Sequence, residues 1–425
     1  MSRRPRVAYV SLGCRVNRVE TDVIIGELRR AGCDVVDERE ADAVVINTCA
    51  VTGEAEAKTR KAVRRAAGLP HKPVVVATGC VANLFASELT DLGDNVVIEL
   101  EKDGVAQRVL DELEASGIVT SGDVRSWAHF GTPTATGRTR PGVKVQDGCD
   151  LRCTYCIVWK ARGRSRSISV DEAVRRVEEA CEEGAREVVL TGINIGRYRS
   201  EHQGRTICLP GLLDVLLERT DVERLRIASI EPQDVDENLA RVMAQSEGRV
   251  APFLHMCLQS GSDGVLKRMG RVYDTRLFAE RVDVMRNHVP LMSFGTDFIV
   301  GFPGESDEEF FESLAFCRAM RFSKMHVFKY SKRPGTPAAV MDGQVNPIVM
   351  GMRAAKARKL SDDLRLAEAK RLVGERDVVV VQDLGRAITG GLFDCSIPQG
   401  ATVGTLVSVR FDGVLPDATL VASLV

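Results

Sequence analysis

The sequence predicts an α/β protein built from a doubly wound parallel sheet, a second βα series that forms a barrel or a partial barrel, and a small all-β domain at the C-terminal end. The first observation behind this prediction is that short, wholly apolar β-type runs alternate with helical patterns along most of the 425 residues. Such strands are typical of parallel sheets covered by helices on both faces. The second observation is that turns rich in glycine and proline, instead of helices, separate the β-type runs of residues 374–425, which indicates a small barrel or sandwich.

Residues 1–120 form the predicted doubly wound domain. Their helical patterns lie near residues 18–31, 53–67 and 103–116, and the apolar runs around them are RVAYVSL, CDVV, AVVINTC, PVVVATGC and NVVIEL. Residues 121–140 are rich in glycine, threonine, serine and proline and lack periodicity, which is typical of a linker. The alternation of strands and helices therefore pauses at this linker and begins again after it.

Residues 141–345 contain the second βα series, with six strand-like runs: GVKVQDG, EVVLTGI, RLRIASI, FLHMCLQ, FGTDFIVG and KMHVFKYS. Helical patterns separate them, for example at residues 171–183 and 306–320. In a barrel or a partial barrel, functional groups gather where strands end and loops begin. A long helical pattern at residues 346–373 then connects this series to the β-type runs of residues 374–425.

The composition is that of an ordinary globular protein, with 44% hydrophobic residues, 28% charged residues and a net charge of −1. This balance gives no global signature of nucleic-acid binding. No apolar run approaches the roughly 18 residues of a membrane span, and a strand pattern instead of a signal peptide follows the basic N-terminal residues. A cytoplasmic protein without membrane contact is expected. In a reducing cytosol, grouped cysteines among the 12 present bind metals more often than they form disulfides.

Three cysteines, called the first triplet below, follow apolar strands although they lie far apart in sequence. Cys14 ends the segment SLGC, Cys49 ends INTC and Cys80 ends ATGC. The carboxyl ends of parallel strands meet at one edge of a sheet, so we expect the three thiols to converge there. A single cysteine of this kind is most often a buried structural residue. Three at equivalent strand ends predict a shared metal ion or cluster.

A second triplet, Cys149, Cys153 and Cys156, lies within eight positions of the segment QDGCDLRCTYCIVW. No fourth cysteine or histidine follows nearby in the sequence. Structural zinc nearly always has four protein ligands, so a zinc knuckle is the weaker interpretation. A 4Fe–4S cluster held by three thiolates keeps one iron without a protein ligand. That iron is able to chelate a small molecule, so the incomplete ligand set predicts a functional site.

The segment GCDLRCTYC resembles the cluster motif of radical S-adenosylmethionine enzymes. Over nearly its whole length, the chain is similar to the radical S-adenosylmethionine methylthiotransferase family, which combines an N-terminal three-cysteine domain, a (βα)6 partial barrel and a C-terminal TRAM-like β domain. The segments that carry the resemblance are SLGCRVNRVETD, NTCAVT, ATGC, ARGRSRS, LTGINIGRY, LQSGSD and GTDFIVGFPGE. Among the subgroups, ARG and LTGI are most similar to the enzymes that modify threonylcarbamoyladenosine in tRNA.

The resemblance implies that the chain adds a methylthio group to carbon 2 of an adenine, a C–H bond that calls for radical chemistry carried by a cofactor. It implies that the second triplet holds a 4Fe–4S cluster whose open iron binds S-adenosylmethionine, which is cleaved reductively to a 5′-deoxyadenosyl radical. The first triplet would hold another 4Fe–4S cluster with the sulfur to be transferred, and a second S-adenosylmethionine would supply the methyl group. The implied partners are a tRNA anticodon loop, an electron donor such as flavodoxin or ferredoxin, and a sulfur donor.

Seven residues at strand ends of the second series are candidates to contact S-adenosylmethionine: Thr191, Gly192, Glu231, Gln259, Ser260, Ile299 and Gly301. The glutamate, the glutamine and the serine are predicted to contact its ribose or methionine parts. The threonine and Gly192 would allow close approach to the backbone, whereas Ile299 and Gly301 would cover the adenine. Ordinary loop hydrogen bonding is the alternative for the glutamate, the glutamine and the serine.

Asn17 and Asn47, which neighbour cysteines of the first triplet, are candidates to tune that site through hydrogen bonds or to cap the turns that follow. The other six cysteines are predicted to be packing residues, with Cys257 singled out because it lies in a barrel strand.

Basic residues are concentrated around the second triplet. Residues 138–166 contain eight basic and two acidic side chains, a local balance of +6. Arg162, Arg164 and Arg166 are predicted to contact anticodon-loop phosphates. A basic helix is a candidate to extend this surface, with a solvated helix face as the alternative: Lys58, Arg60, Lys61, Arg64 and Arg65. Residues 374–425 hold only three basic residues against six acidic ones, so the TRAM-like domain is expected to bind tRNA mainly through shape and β-loop contacts, to bind it weakly, or to serve as a structural cap.

Two alternatives stay open from the sequence. The first keeps the chemistry and changes the substrate to isopentenyladenosine in tRNA or to an aspartate of a ribosomal protein. The second is a non-catalytic RNA-binding protein that contains zinc or an iron–sulfur cluster. The two classes differ in their expected metal content and in whether they cleave S-adenosylmethionine.

Overall fold

The computed structural model describes residues 3–119 and 137–425, and most of the predicted 121–140 linker lies outside them. The chain divides into two compact units. The first unit contains the described residues up to Gly137 together with Gly148–Asp150 and Cys156–Arg164, and the second contains Arg138–Asp147, Leu151–Tyr155 and Ser165–Val425. The division passes through the loop of the second triplet, so Cys153 belongs to the second unit and the other two cysteines to the first.

The first unit contains a five-stranded parallel sheet with the strand order β2-β1-β3-β4-β5. Every residue of the central strand β3 is buried, as expected for a sheet covered on both faces. The order reverses between β1 and β3, which makes this pair the topological switch point of the sheet. The strand bounds are β1 Arg6–Ser11, β2 Asp34–Val35, β3 Ala43–Thr48, β4 Val74–Gly79 and β5 Val96–Ile98.

Helices on both faces of this sheet bury alternate residues of its strands. Val44 and Ile46 of β3 belong to one apolar cluster, and Ala43 and Val45 belong to another. This arrangement confirms the predicted doubly wound sheet. The helix bounds in the first unit are α1 Arg15–Arg30, α2 Gly53–Ala67, α3 Cys80–Leu84, α4 Ala86–Thr90, a 3₁₀ turn at Lys102–Gly104, α5 Val105–Ala115 and α6 Val158–Arg162.

The second unit contains the six predicted βα strands in chain order. They form two adjoining parallel sheets, because Ala228 interrupts the strand shared between them. Within residues 137–425, the first and last strands of the series are not paired with each other, so the structure is a partial barrel. The bounds are β6 Gly142–Lys144, β9 Glu187–Thr191, β12 Arg224–Ile227 with β13 Ser229–Ile230, β14 Phe253–Met256, β15 Ser293–Val300 and β16 Lys324–Lys329.

Helices cover the outer face of the partial barrel. Phe294, Phe298 and Val300 of β15 pack in the large apolar cluster beneath these helices, so the alternate residues of the strand face the barrel interior. The helix bounds are α7 Val170–Glu182, α8 Leu209–Arg219, α9 Glu237–Gln245, α10 Asp263–Arg268, α11 Thr275–His288, α12 Asp307–Met320 and α13 Pro347–Arg371. Two short antiparallel pairs complete this part: β7 Gln146–Asp147 with β8 Arg166–Ser167, and β10 Arg199–His202 with β11 Arg205–Cys208.

The last strands form a closed five-stranded barrel in the order β17-β18-β19-β21-β20, which confirms the predicted all-β domain. Arg224, the first residue of β12, donates to the Val378 carbonyl oxygen, and Arg226 of the same strand donates to the carbonyl oxygens of Gly390 (2.8 Å) and Thr389 (3.1 Å). The small barrel is thus bonded at the N-terminal ends of the partial-barrel strands, away from the strand ends that carry the candidate site. Its strands are β17 Arg376–Asp383, β18 Arg386–Ile388, β19 Asp394–Ser396, β20 Leu406–Val414 and β21 Leu420–Leu424.

Among the described residues, no helix combines the length and the apolar character needed to cross a membrane.

Candidate functional site

The first triplet lies at the carboxyl edge of the five-stranded sheet. Cys14 precedes α1 shortly after β1, Cys49 directly follows β3, and Cys80 begins α3 directly after β4. Because β1 and β3 flank the switch point, two of these thiols lie where open α/β sheets form their ligand crevice. The Cys14 and Cys80 thiols both raise the pKa of Cys49, which is consistent with the predicted convergence of the three side chains.

Burial governs the ionisation of these thiols. It raises the pKa of Cys14, an effect that the Arg162 guanidinium partly offsets. Burial, together with the other two thiols, raises the pKa of Cys49 to about 11. Metal and cluster ligands must be thiolates. The donor set therefore fits a bound cationic centre that offsets the cost of ionising closely spaced buried thiols.

A glycine before the first cysteine allows two members of this triplet to approach. A Cβ atom at Gly13 would lie 2.2 Å from the Cys49 sulfur, and the residue has a φ of +91°. Both the space and the backbone conformation therefore require glycine at this position.

Asn17 joins the first triplet to the polar interior of the unit. Its Oδ1 accepts hydrogen bonds from the Cys14 sulfur at 3.7 Å and from Nη2 of Arg162 at 2.7 Å. Its Nδ2 donates to the carbonyl oxygen of Thr48 at 2.7 Å. The prediction that Asn17 hydrogen-bonds at this site is thus met by a contact with the cysteine itself.

Two cations lie behind the first triplet and share one buried carboxylate. Arg162 donates to Glu20 at 2.7 Å, and Nζ of Lys102 lies 3.7 Å from the same carboxylate. Lys102 also donates to Oδ1 of Asn47 at 3.0 Å. The prediction that Arg162 contacts RNA phosphates is wrong, because its side chain is buried and its guanidinium binds Glu20 and Asn17. The residue acts inside the first unit.

Backbone contacts fix the ends of the second triplet. The Cys149 amide donates to the carbonyl oxygen of Gly163 at 3.1 Å, and the Val158 amide donates to the Cys156 sulfur at 3.4 Å. A Cβ atom at Gly148 would lie 1.9 Å from the carbonyl oxygen of Arg164. The loop therefore folds back on the segment that follows it, as its glycines permit.

Cys153, the middle member, is buried in the second unit beside Arg271. Nη1 of Arg271 donates to the Cys153 sulfur at 3.1 Å and to the Tyr155 hydroxyl at 3.3 Å. Nη2 of the same guanidinium forms an ion pair with Glu231. Burial raises the pKa of the Cys153 thiol, and Arg271 lowers it. The sequence does not predict a role for Arg271, which follows Gly270 shortly after the end of α10.

Glu231, Gln259 and Ser260 differ in how fully their polar groups are already bonded. The Glu231 carboxylate pairs with Arg271. The Gln259 backbone, which has a φ of +66°, bonds to β15, donating to Asp297 and accepting from Ile299. The Ser260 hydroxyl lies 3.1 Å from that of Ser313 in a buried contact. The serine thus makes a loop hydrogen bond, and the predicted contacts of these three residues with the cofactor stay predictions.

Thr191 ends β9, and Gly192 follows it next to Gln146. A Cβ atom at Gly192 would lie 2.8 Å from Oε1 of Gln146. That oxygen also accepts from the Asn194 amide at 2.8 Å, and the Thr191 carbonyl accepts from the Val145 amide at 2.9 Å. The small residue therefore makes room for a glutamine side chain, and its predicted role in cofactor approach stays a prediction.

Ile299 and Gly301 lie where β15 meets the loop that follows it. Ile299 is buried in a small apolar cluster that includes Phe302 and Tyr330. The Gly301 amide donates to Glu305 at 2.6 Å, and Glu305 in turn pairs with Arg353 of α13 at 2.6 Å. This loop is therefore fixed to α13, and its predicted contact with an adenine stays a prediction.

The barrel interior also contains a cluster of polar side chains that the sequence does not predict to lie together. One ligand-type atom from each of His255, Cys257 and Asp297 lies within 4.8 Å of the others. Nε2 of His255 lies 3.2 Å from the Asp297 carboxylate, and Nδ1 of His326 lies 3.9 Å from it. The prediction that Cys257 is only a packing residue thus overlooked polar neighbours that β14, β15 and β16 bring together.

Much of the predicted basic surface is neutralised by local acids. Arg166 pairs with Asp147 at 2.9 Å. On α2, Lys58 pairs with Glu54 and Arg60 pairs with Glu56. Arg65 of the same helix pairs with Glu38. The solvated-face interpretation of this helix is therefore supported for these three residues.

Comparison with known proteins identifies the class. Residues 143–317 match the model of the Radical SAM superfamily, and residues 6–99 match Uncharacterized protein family UPF0004. A solved radical S-adenosylmethionine methyltransferase, TsrM from Kitasatospora setae, has a TM-score of 0.56 with this chain at 16% identity, over 80% of this chain and 77% of that one. The partial barrel is thus a radical S-adenosylmethionine fold.

Relatives with assigned functions identify the family within this class. The threonylcarbamoyladenosine tRNA methylthiotransferase MtaB of Bacillus subtilis is 36% identical, over 87% of this chain and 83% of its own length. Its namesake in Thermotoga maritima is 33% identical, over 95% and 94%. The ribosomal protein uS12 methylthiotransferase RimO of Desulforudis audaxviator is 34% identical, over 97% and 95%. The chain belongs to the radical S-adenosylmethionine methylthiotransferase family. It is an enzyme of that family, and its cofactors are S-adenosylmethionine and 4Fe–4S clusters.

Proposed function

We propose that this enzyme adds a methylthio group to carbon 2 of N6-threonylcarbamoyladenosine next to the anticodon of tRNA. The observation that carries the proposal is the agreement between the relatives and the subgroup resemblance. The relatives from Bacillus subtilis and Thermotoga maritima, which bear the threonylcarbamoyladenosine tRNA name, match most of the chain. The segments ARG and LTGI independently resemble the same subgroup.

The first triplet is proposed to bind one 4Fe–4S cluster through its three thiolates. Its position at the switch point and the mutual influence of its thiols support this assignment. Lys102 and Arg162 both lie beside the Glu20 carboxylate. Since a cluster held by thiolates is anionic, these positive charges favour its presence.

The second triplet is proposed to bind another 4Fe–4S cluster, whose open iron takes S-adenosylmethionine. Support comes from the Cys-x3-Cys-x2-Cys spacing and from the guanidinium that donates to the Cys153 sulfur. When bound, the clusters and S-adenosylmethionine supply the radical chemistry that an unreactive aromatic C–H bond needs. The chain's own residues bind and orient these groups, with Glu231 held in place by Arg271.

The substrate nucleotide is proposed to enter from an unpaired loop, since its base can then be turned outward. Arg164 remains a candidate for contact with the loop phosphates. The closed C-terminal barrel is proposed to act mainly as a structural cap, because it is acidic and is bonded to the base of the partial barrel. An electron donor and a sulfur donor complete the proposed set of partners.

One second candidate has a specific observation in its favour. The uS12 methylthiotransferase of Desulforudis audaxviator matches 97% of the chain at 34% identity. Its name indicates a ribosomal protein as the substrate of that enzyme. The same clusters would then act on an amino-acid side chain of a protein.

The experiment that separates these substrates is a deletion strain with and without the cloned gene. Nucleosides from its tRNA and the mass of its ribosomal protein uS12 are measured by mass spectrometry. The proposal expects methylthio-threonylcarbamoyladenosine to disappear on deletion and to return with the gene, while uS12 is unchanged. Loss of the uS12 modification with an unaltered nucleoside profile would show that the second candidate is correct.

The cluster assignment is tested by metal analysis of the anaerobically reconstituted protein. Two 4Fe–4S clusters predict about eight iron atoms and eight sulfides per chain. About four iron atoms, or zinc in their place, would contradict the two-site assignment and favour a non-catalytic metal protein.

A further inference from the structure

We propose that Arg271 is a positioning residue that sets the reduction potential of the cluster on the second triplet and couples that potential to the binding of S-adenosylmethionine. This inference rests on the proposed function, because it takes Cys153 as a cluster ligand and Glu231 as a cofactor contact. It assigns a role to a residue that neither the sequence motifs nor the comparisons point to.

The Arg271 guanidinium is almost completely enclosed, with 3% of its side chain exposed. Its Nη1 lies 3.1 Å from the Cys153 sulfur, and its Nε donates to the Tyr273 hydroxyl at 3.0 Å. Its Nη2 pairs with Glu231, whose side chain is 13% exposed. One guanidinium thus contacts both a proposed cluster ligand and a proposed cofactor contact.

The chain holds Arg271 in this position through a tight turn after α10. The Gly270 and Arg271 amides donate to the carbonyl oxygens of Lys267 (3.1 Å) and Leu266 (3.0 Å). The cysteine loop is fixed to the same turn, because the Thr154 amide donates to the Met269 carbonyl at 2.9 Å. The guanidinium and the Cys153 loop therefore form one structural element.

Tyr273 fixes the other side of the guanidinium. It lies against Arg271, and its hydroxyl donates to the Leu258 carbonyl oxygen at 2.9 Å. The hydroxyl that accepts from Nε is therefore anchored to the barrel backbone. Such a supported guanidinium has little freedom to leave the sulfur.

A buried positive charge has a predictable effect on a cluster at this distance. Reduction adds one negative charge to the cluster, and hydrogen bonds to the ligand sulfurs together with local charge set its potential. A guanidinium that donates to a ligand sulfur stabilises the reduced form more than the oxidised one. Arg271 therefore raises the potential of this cluster, so that reduction by the electron donor becomes easier.

Glu231 makes the effect of Arg271 on the reduction potential depend on the cofactor. Its carboxylate neutralises part of the Arg271 charge. When the carboxylate also accepts hydrogen bonds from S-adenosylmethionine, its hold on the guanidinium weakens and more of the positive charge acts on the Cys153 sulfur. Since linkage is reciprocal, reduction of the cluster then strengthens cofactor binding by the same factor.

The test is a redox titration of the reconstituted two-cluster enzyme, followed by electron paramagnetic resonance with and without S-adenosylmethionine. The second cluster is recognised as the one whose signal responds to the cofactor. In Arg271→Gln we expect the equilibrium constant for its reduction to fall about tenfold, which corresponds to about 59 mV for one electron. Its response to S-adenosylmethionine should shrink, and the potential of the other cluster should stay unchanged.

Two further variants make the outcome decisive. Arg271→Lys keeps the charge without the forked donor, so its potential should lie between those of the wild type and Arg271→Gln; it also supplies the measurement if the glutamine variant does not fold. Arg268→Gln is the matched control, because Arg268 lies three positions away and pairs with Glu309 at 2.7 Å. Its potentials should equal those of the wild type.

The inference is overturned if both Arg271 variants bind about eight iron atoms and keep the wild-type potential and cofactor response. It is also overturned if the cluster that does not respond to S-adenosylmethionine is the one whose potential shifts. A wild-type protein with only about four iron atoms would instead contradict the two-cluster assignment, which is a separate result obtained before the titration.

Discussion

The two cysteine triplets each have a buried arginine–glutamate pair beside them, but the arginines reach the sulfurs in different ways. At the first triplet, Arg162 binds Glu20 and Asn17; burial raises the pKa of Cys14, and the charge of Arg162 lowers it. At the second, Arg271 binds Glu231 and donates directly to the Cys153 sulfur. Negative charge is thus compensated once by a guanidinium that bonds to neighbouring side chains and once by a guanidinium that donates to a sulfur.

The triplets also differ in how the fold brings their cysteines together. The first depends on three separate strands of a sheet, whereas the second depends on one loop of eight residues. A change confined to the strand ends that carry the first triplet should therefore disturb the first site more than the second. The residues that position the cysteines at each site therefore differ from the residues that supply positive charge beside them. Substitutions test the two groups of residues separately.

The largest expected effect comes from removing one cysteine of each triplet. Cys153→Ala should abolish formation of 5′-deoxyadenosine, because S-adenosylmethionine would lose its binding centre. Cys49→Ala should preserve that reaction and block methylthiolation. Both products are measured by mass spectrometry after anaerobic turnover with tRNA.

Cys317→Ala is the control for this pair, since Cys317 is a buried cysteine of α12 outside both triplets. It should retain both reactions. If Cys153→Ala and Cys49→Ala both still thiolate tRNA, the division of labour between the triplets is wrong.

The next effect concerns the charge behind the first triplet. Arg162→Ala removes the guanidinium that donates to the buried Glu20 carboxylate at 2.7 Å, and removal of one member of a buried ion pair costs about 3–5 kcal/mol. We expect a lower melting temperature and loss of about four of the eight iron atoms. Thermal unfolding and iron analysis of the same preparation measure both effects.

Arg65→Ala provides the comparison for that variant. Arg65 pairs with Glu38 but is 56% exposed, and such surface pairs contribute about 0–1 kcal/mol. Equal melting temperatures and iron contents for Arg162→Ala and Arg65→Ala would show that burial of Arg162 has no role at this site.

The same comparison shows which parts of the two sites the sequence predicts. The strand ends that carry Cys14, Cys49 and Cys80 are predictable, because apolar periodicity marks buried strands and parallel strands share an edge. The spacing of the second triplet is equally direct. Helices at 53–67 and 306–320 were also predicted to within a residue of α2 and α12.

The arginines were not predictable in the same way. Arg162 bonds to Asn17 across 145 positions, and Arg271 to Cys153 across 118. Periodicity indicates which face of an element is buried, but it does not tell which distant polar side chain fills a gap there. A basic residue near a cluster motif was therefore assigned to the RNA surface, and the tertiary contact with Glu20 overrode that expectation.

A smaller effect is expected from the glycines that precede each site. Gly13→Ala would place a Cβ atom against the Cys49 sulfur, and Gly148→Ala would place one against the Arg164 carbonyl oxygen. Gly163→Ala is the matched control, because its φ of +72° imposes similar strain while nothing lies within 4 Å. The two clashing variants should be destabilised by about 1–3 kcal/mol beyond the control.

Iron content separates the two glycine variants. Gly13→Ala should lose the cluster of the first triplet and retain cleavage of S-adenosylmethionine, whereas Gly148→Ala should lose that cleavage. The expectation fails if both variants bind as much iron as Gly163→Ala.

The smallest effect is expected at Lys102, whose charge is held by groups behind the first triplet. Its Nζ donates to Asn47 and Thr78 at 3.0 Å and lies 3.7 Å from the Glu20 carboxylate. We therefore expect Lys102→Met to lower the equilibrium constant for reduction of the first cluster. This change should be smaller than the tenfold decrease expected for the second cluster in Arg271→Gln. Lys58→Met, which removes an exposed lysine paired with Glu54, is the control and should leave both potentials unchanged. A shift in Lys102→Met as large as that in Arg271→Gln would show that a nearby charge acts on a cluster as strongly as a direct hydrogen bond to sulfur, and the distinction between the two sites would be lost.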